Sequence, residues 1–115
     1  MSLQIFTKPK CQESRKAERY FKERRIPYQL CDLSRRALSR REYEAIRQAA
    51  GGMWALIDEK SKLYETLYLA YLSEESAVEE KLLEHPLLFR TPIVRLGRLV
   101  TVGYQPEIWR TWENF

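Results

Sequence analysis

The chain has little of what most site chemistries need. It contains one histidine, His85, and two cysteines, Cys11 and Cys31, in 115 residues. A structural zinc site takes four Cys or His ligands at short spacings, and no such spacing is present, so no metal is expected. Two cysteines do not make a disulfide scaffold. A Cys-x-x-Cys pair is missing too, because the residue three beyond Cys11 is Ser14. Apolar runs stay well short of the ~20 residues that span a membrane. The opening MSLQIFTK lacks the cationic segment that precedes the apolar core of a signal peptide. A cytoplasmic protein with no membrane partner is the expectation.

Charge shows only a mild basic bias, with a pI of about 9.2. The net charge is +4, with 31% charged residues. In the stretch KAERYFKERR the cations alternate with carboxylates, which reads as a solvated helix face. No zinc-finger or aromatic nucleic-acid motif is present, and direct contact with nucleic acid is not expected. Hydrophobic residues make up 44%, enough for the core of one domain over 1–115.

Hydrophobic periodicity gives the element order. Leu3 to Phe6 is β-compatible, and Pro9 breaks the loop after it. Gln12 to Arg24 is helical, with Ala17, Tyr20 and Phe21 on one face, and Ile26 to Leu30 reads as a second strand. This β–α–β unit implies parallel strands joined by a right-handed crossover. A helical segment, about 38–86, follows. Ser39 and Glu42 have capping-box spacing, and Gly51-Gly52 stops that helix. Lys62 to Leu72 reads as one helix, and Ser73 opens another that closes at His85-Pro86. Pro92 to Leu96 and Leu99 to Val102 are strands around Gly97, a hairpin signal. Pro106 starts a last helix carrying Ile108, Trp109 and Trp112.

Chemistry, if any, rests on a thiol. Cys11 falls where the first loop meets a helix, and a helix start presents free N–H groups and partial positive charge that stabilise a thiolate. Lys8, Lys10, Arg15 and Lys16 lie close in sequence, and Ser14 has the helical spacing to offer its hydroxyl to the sulfur. Cys31 ends the second strand at the same sheet edge. It reads either as a partner for Cys11 or as a buried core cysteine.

Two separated segments, IFTKPKCQESRKAERYFKERRIPYQLCDL and LLFRTPIVRLGRLVTVGYQPEIW, resemble the opening and closing halves of the ArsC (arsenate reductase-like) family. The resemblance implies an α/β, thioredoxin-like fold: a four-stranded mixed sheet with a helical insertion between βαβ and ββα halves. It implies Cys11 as nucleophile, with Arg15 in the anion-binding loop, and Thr91-Pro92 as an X-cis-Pro pair that offers backbone to a thiol substrate. Ser14, Lys60, Arg90, Thr91 and Pro92 are the implied substrate contacts, and Cys31 is a candidate resolving cysteine. No bound cofactor is implied. Glutathione, with a glutaredoxin or thioredoxin, would act as co-substrate.

The sequence departs from the arsenate-reducing members at three places. The arginine expected before the proline is Thr91, with Arg90 one residue earlier. An arginine of the insert becomes Lys60, which lacks the bidentate fork. A third falls near Gly103-Tyr104, with Arg95 and Arg98 as substitutes. The expected function is therefore a thiol-dependent reductase with weakened arsenate chemistry. The alternative from the same resemblance is an Spx-like regulator. In that reading Gly52 would sit at the contact with the α C-terminal domain of RNA polymerase.

Overall fold

The computed structural model describes residues 2–112. Five α-helices and four strands follow in the order β1 (Leu3–Thr7), α1 (Gln12–Glu23), β2 (Tyr28–Asp32), α2 (Arg40–Ala50), α3 (Lys62–Thr66), α4 (Glu75–Glu84), β3 (Ile93–Leu96), β4 (Leu99–Val102) and α5 (Pro106–Trp109). The sheet order is β2-β1-β3-β4. β1 and β2 are parallel, while β1 pairs antiparallel with β3 and β3 with β4. This is the expected α/β, thioredoxin-like arrangement.

Strand alternation splits the core between the two faces of the sheet. Leu3 and Ile5 of β1 and Val94 and Leu96 of β3 point to one face, under Ala17, Tyr20 and Phe21 of α1 and under Trp109 and Trp112. Phe6, Cys31 and Ile93 point to the other, where the insert supplies Tyr43, Ile46, Leu56, Leu69, Val78 and Leu82. The insert is thus the second cover of the sheet. Trp109 is fully buried and donates its indole N–H to Thr101 Oγ1 at 2.8 Å, so it fills the core without leaving an orphan donor.

Several expected boundaries move. β2 begins at Tyr28, not Ile26, because Ile26 N–H still bonds Phe21 O at 2.9 Å across the helix exit, where Arg25 is left-handed (φ 56). Pro27 has no N–H to give a strand. The single helix expected over Lys62 to Leu72 is two pieces. α3 ends at Thr66 with Leu67 as its C-cap, Tyr68 turns left-handed (φ 55), and Leu69–Tyr71 forms a 3₁₀ turn. The break lets Leu69 enter the core, whereas Tyr71, placed on the apolar face by helical spacing, is exposed. α4 starts after Glu74, not at Ser73. In α5 Ile108 is exposed and only Trp109 points inward.

The capping box at α2 forms as expected. Ser39 Oγ accepts from Glu42 N–H at 3.1 Å, and Glu42 Oε1 accepts from Ser39 N–H at 2.9 Å. Glu42 also receives Arg36 at 2.8 Å. The Arg36 guanidinium chiefly holds the Glu42 carboxyl down at about 2, against an ordinary 4.5. A lowered native value stabilises above pH 4.5 and ceases to as pH falls toward 2. Arg36 is half exposed, so solvent screening leaves about 1 kcal/mol. Glu42→Gln, which keeps the box geometry, is expected to lose that amount in urea unfolding at pH 7. The difference from the native chain should shrink progressively below pH 4.5. A gap that persists unchanged at pH 3 would assign the effect to packing instead of charge.

Candidate active site

Cys11 is the N-cap of α1, with extended backbone (φ −92, ψ 108), after left-handed Lys10 (φ 63). That turn places a half-buried sulfur beside the start of β3. Thr91 Oγ1 donates to Cys11 Sγ at 3.1 Å, and the thiol donates to Thr91 O at 3.5 Å. Thr91 is itself buried, and the Thr91–Pro92 peptide bond is cis. Both polar atoms of the residue before the proline therefore converge on the thiol.

The sulfur opens into a cleft of about 590 Å³ walled by Trp54, Ile57, Lys60, Glu13 and Arg90. Lys60, the Arg90-Thr91 pair and Cys11 are thus brought together from three distant parts of the chain. Arg90 holds a particular position. Its guanidinium lies over Gly103, where a Cβ would approach Nη2 to 3.2 Å. Gly103 is left-handed (φ 85), so both its conformation and the space above it favour glycine. Glycine at position 103 leaves room for Arg90.

Other expected residues lie elsewhere or act differently. Ser14 does not serve the sulfur. It is buried on the inner face of α1, and its Oγ has no hydrogen-bond partner among the described residues. Helical spacing turns it toward the sheet with Ala17, and the hydroxyl that reaches the thiol is that of Thr91. Arg15 is exposed on α1 and does not line the cleft. Arg95 and Arg98 line a different cavity beside α2. Cys31 is buried in the insert-side core, where Arg36 Nη2 approaches its sulfur to 3.6 Å; neither cysteine is in a disulfide.

Lys8 has a role that spacing did not reveal. Its Nζ bonds Asp58 Oδ2 at 2.9 Å, Leu87 O at 3.0 Å and Phe89 O at 2.9 Å. All three donors of the ammonium are used. It clamps the Cys11 loop to the insert and to the segment leading into Thr91. Its charge is thereby committed to Asp58. The cleft lining holds Lys8, Lys60 and Arg90 against Glu13, Asp58 and Glu59, so the cations are matched by carboxylates.

The two thiols differ in access, since Cys31 is 7% exposed and Cys11 is half-buried at a cleft floor. Cys11 is expected to react with iodoacetamide at least ~10-fold faster. Peptide mapping during a time course measures this, and equal rates would exchange the assigned roles.

Among the described residues no group of three or more His, Cys, Asp and Glu side chains could hold a metal ion. No helix among the described residues is long and apolar enough to cross a membrane.

A mixed sheet in this order, with a cysteine at the first helix start facing a Thr–cis-Pro pair, defines a thioredoxin-like protein. Within that class the chain belongs to the ArsC family, whose model matches residues 6–112. It is 30% identical over 105 residues to the global transcriptional regulator Spx of Bacillus subtilis, covering 90% of this chain and 80% of that protein. Against the global transcriptional regulator Spx 2 of Oceanobacillus iheyensis it is 30% identical over 102 residues, covering 84% of this chain and 73% of that protein. Its structure is similar to an arsenate reductase from Vibrio cholerae, with a TM-score of 0.82, 28% identity and 94% of each chain covered.

Proposed function

We propose that this ArsC-family chain is a thiol-dependent reductase that uses Cys11 as its nucleophile on glutathione mixed disulfides. The observation that carries this reading is the Thr91 hydroxyl donated to a half-buried Sγ at the start of α1. In the first step the Cys11 thiolate attacks the glutathione sulfur of R–S–S–G. The Sγ–S bond forms as the old S–S bond breaks, and the electron pair leaves on R–S⁻, which takes a proton from solvent. A second glutathione thiolate then attacks the adduct, releasing oxidised glutathione and the Cys11 thiolate. The Thr91 hydroxyl stabilises negative charge on Sγ before the first step and as it returns in the second. Arg90 and Lys60 are placed to receive the carboxylates of glutathione.

Mass spectrometry after exposure to oxidised glutathione tests the proposal. A single adduct on Cys11 that free glutathione reverses is the expected result. A Cys11–Cys31 disulfide in its place would make Cys31 the resolving group. An unmodified Cys11 would overturn the reading.

A second reading, a regulator that binds the α C-terminal domain of RNA polymerase, is supported by the names of the two 30%-identical relatives. It is also supported by Gly52, at which an added Cβ would meet nothing within 4 Å, next to exposed Trp54. Retention of the intact chain by immobilised α C-terminal domain, lost in Gly52→Arg while circular dichroism shows that variant folded despite φ 132 at this position, is the outcome that would favour it.

A further inference from the structure

The positive charge of this molecule is concentrated in one segment, α1 with the turns on either side of it; α1 itself carries four cations and three carboxylates. Residues 10–25 hold seven cations and three carboxylates, a net +4 that equals the net charge of the whole chain. The rest is balanced, and its cations supply all the ion pairs among the described residues: Lys8, Arg35, Arg36, Arg40, Arg47, Lys81 and Arg110 each meet a carboxylate, and no cation of 10–25 does.

Helix geometry turns this into a surface. Ser14, Ala17, Tyr20 and Phe21 point inward, which places Arg15, Arg19 and Lys22 at i, i+4 and i+7 along the middle of the exposed face. Lys16 stands beside the row, over the Tyr104 ring at 5.9 Å. Glu18 has the spacing to neutralise Arg15 or Lys22. Instead it accepts the Tyr28 hydroxyl at 2.9 Å, and burial together with that bond pushes the tyrosine up to about 12. Like charges at these spacings oppose one another on a helix, so the row does not stabilise the fold.

From this we infer that the exposed face of α1 is a contact surface for the phosphate backbone of duplex DNA. The row extends ~10 Å along the helix, and duplex DNA presents one negative charge per ~1.7 Å of axis. A basic stripe along one helix in a chain of pI about 9.2 is the electrostatic footprint of such contact. Protein partners favour a desolvated apolar anchor at the centre of their contact, and the middle of this face holds Arg15, Arg19 and Lys22 beside Gln12 and Glu23, with no apolar side chain. The contact is sequence-independent, because nothing in the row is arranged to read base edges. KAERYFKERR is the solvated face its sequence predicts, and among the described residues its cations form no ion pair on that face.

Fluorescence anisotropy with a labelled random-sequence 20-bp DNA duplex, titrated with the full chain at several KCl concentrations, tests it. Binding is expected at low salt, with log K falling against log[KCl] at a slope near about −3 for three phosphate contacts. The variant Arg15→Gln/Arg19→Gln/Lys22→Gln is expected to weaken binding at least ~10-fold and to flatten the slope by about 3. The control Arg41→Gln/Lys62→Gln/Arg98→Gln removes the same formal charge from exposed sites outside α1 and should retain most of the affinity. All six positions are exposed and glutamine suits helices, so both variants are expected to fold, with circular dichroism as the check. No binding at 50 mM KCl, or equal loss in the two variants, would overturn the proposal. So would competition by poly-glutamate as strong as that by unlabelled DNA of equal charge, which would assign the face to acidic protein surfaces.

Discussion

Serine in place of Cys11 is expected to bring reduction of a glutathione mixed disulfide to the uncatalysed rate. A serine hydroxyl is not ionised near neutral pH and does not attack sulfur, so nothing replaces the lost nucleophile. Cys31 cannot take over, because it is buried on the insert side of the sheet under Arg36. The neighbouring variant carries more information. Thr91→Val keeps the shape of a buried side chain and removes only the hydroxyl that reaches Sγ at 3.1 Å. If that donor stabilises charge on the sulfur, kcat should fall by ~10²-fold, by analogy with the loss of one preorganised donor. Thr91→Ser should recover most of the rate. The carbonyl of Thr91 is untouched in all three chains, so the series separates hydroxyl from backbone. Thermal unfolding should leave the Ser and Val variants folded. Full activity in Thr91→Val would remove the hydroxyl from the mechanism, and substantial activity in Cys11→Ser would remove the thiol.

Features held by local spacing were legible in the sequence. The Ser39–Glu42 box, the glycine stop after α2 and the Gly97 hairpin each depend on residues within a few positions of one another. The position of Cys11 at a helix start was legible for the same reason. What failed was decided across distance. Lys62 to Leu72 has helical periodicity, yet the core takes Leu69, and the chain breaks at Tyr68 to deliver it. Ser14 has the right spacing to cap toward the thiol, but the sheet lies on that side of α1 and claims it. The Lys8 clamp joins residues 50 to 81 positions apart, and a lysine in a loop gives no sign of three such distant acceptors. Thr91 was assigned for its backbone; its side chain acts on the sulfur only because the cis bond and β3 bring it to the start of α1.

Arsenate turnover is expected to be at least ~10²-fold slower than mixed-disulfide turnover, again by the cost of missing preorganised donors. Forming a thiol–arsenate adduct gathers negative charge at one oxyanion, and it requires cations whose charge is not already committed. The cleft has Lys8, Lys60 and Arg90, but Lys8 is spent on Asp58 and two carbonyls. Glu13 and Glu59 oppose the remaining two. Where the arsenate-reducing pattern has an arginine, this chain has Thr91, which brings no cation to the cleft. Disulfide chemistry asks less, because its developing charge rests on a leaving thiolate. This account makes a second, opposite forecast. Glu13→Gln/Glu59→Gln removes two carboxylates from the lining, and glutamine keeps an acceptor for the Tyr104 N–H that Glu13 now holds at 3.0 Å. The local field then becomes net positive, and arsenate turnover should rise while mixed-disulfide turnover changes little. Both rates are measured with glutathione and glutaredoxin, using Cys11→Ser as the blank. Robust Cys11-dependent arsenate turnover in the native chain would mean that Arg90 and Lys60 alone form a sufficient cradle. No gain in the double variant would mean that the carboxylates do not set the limit.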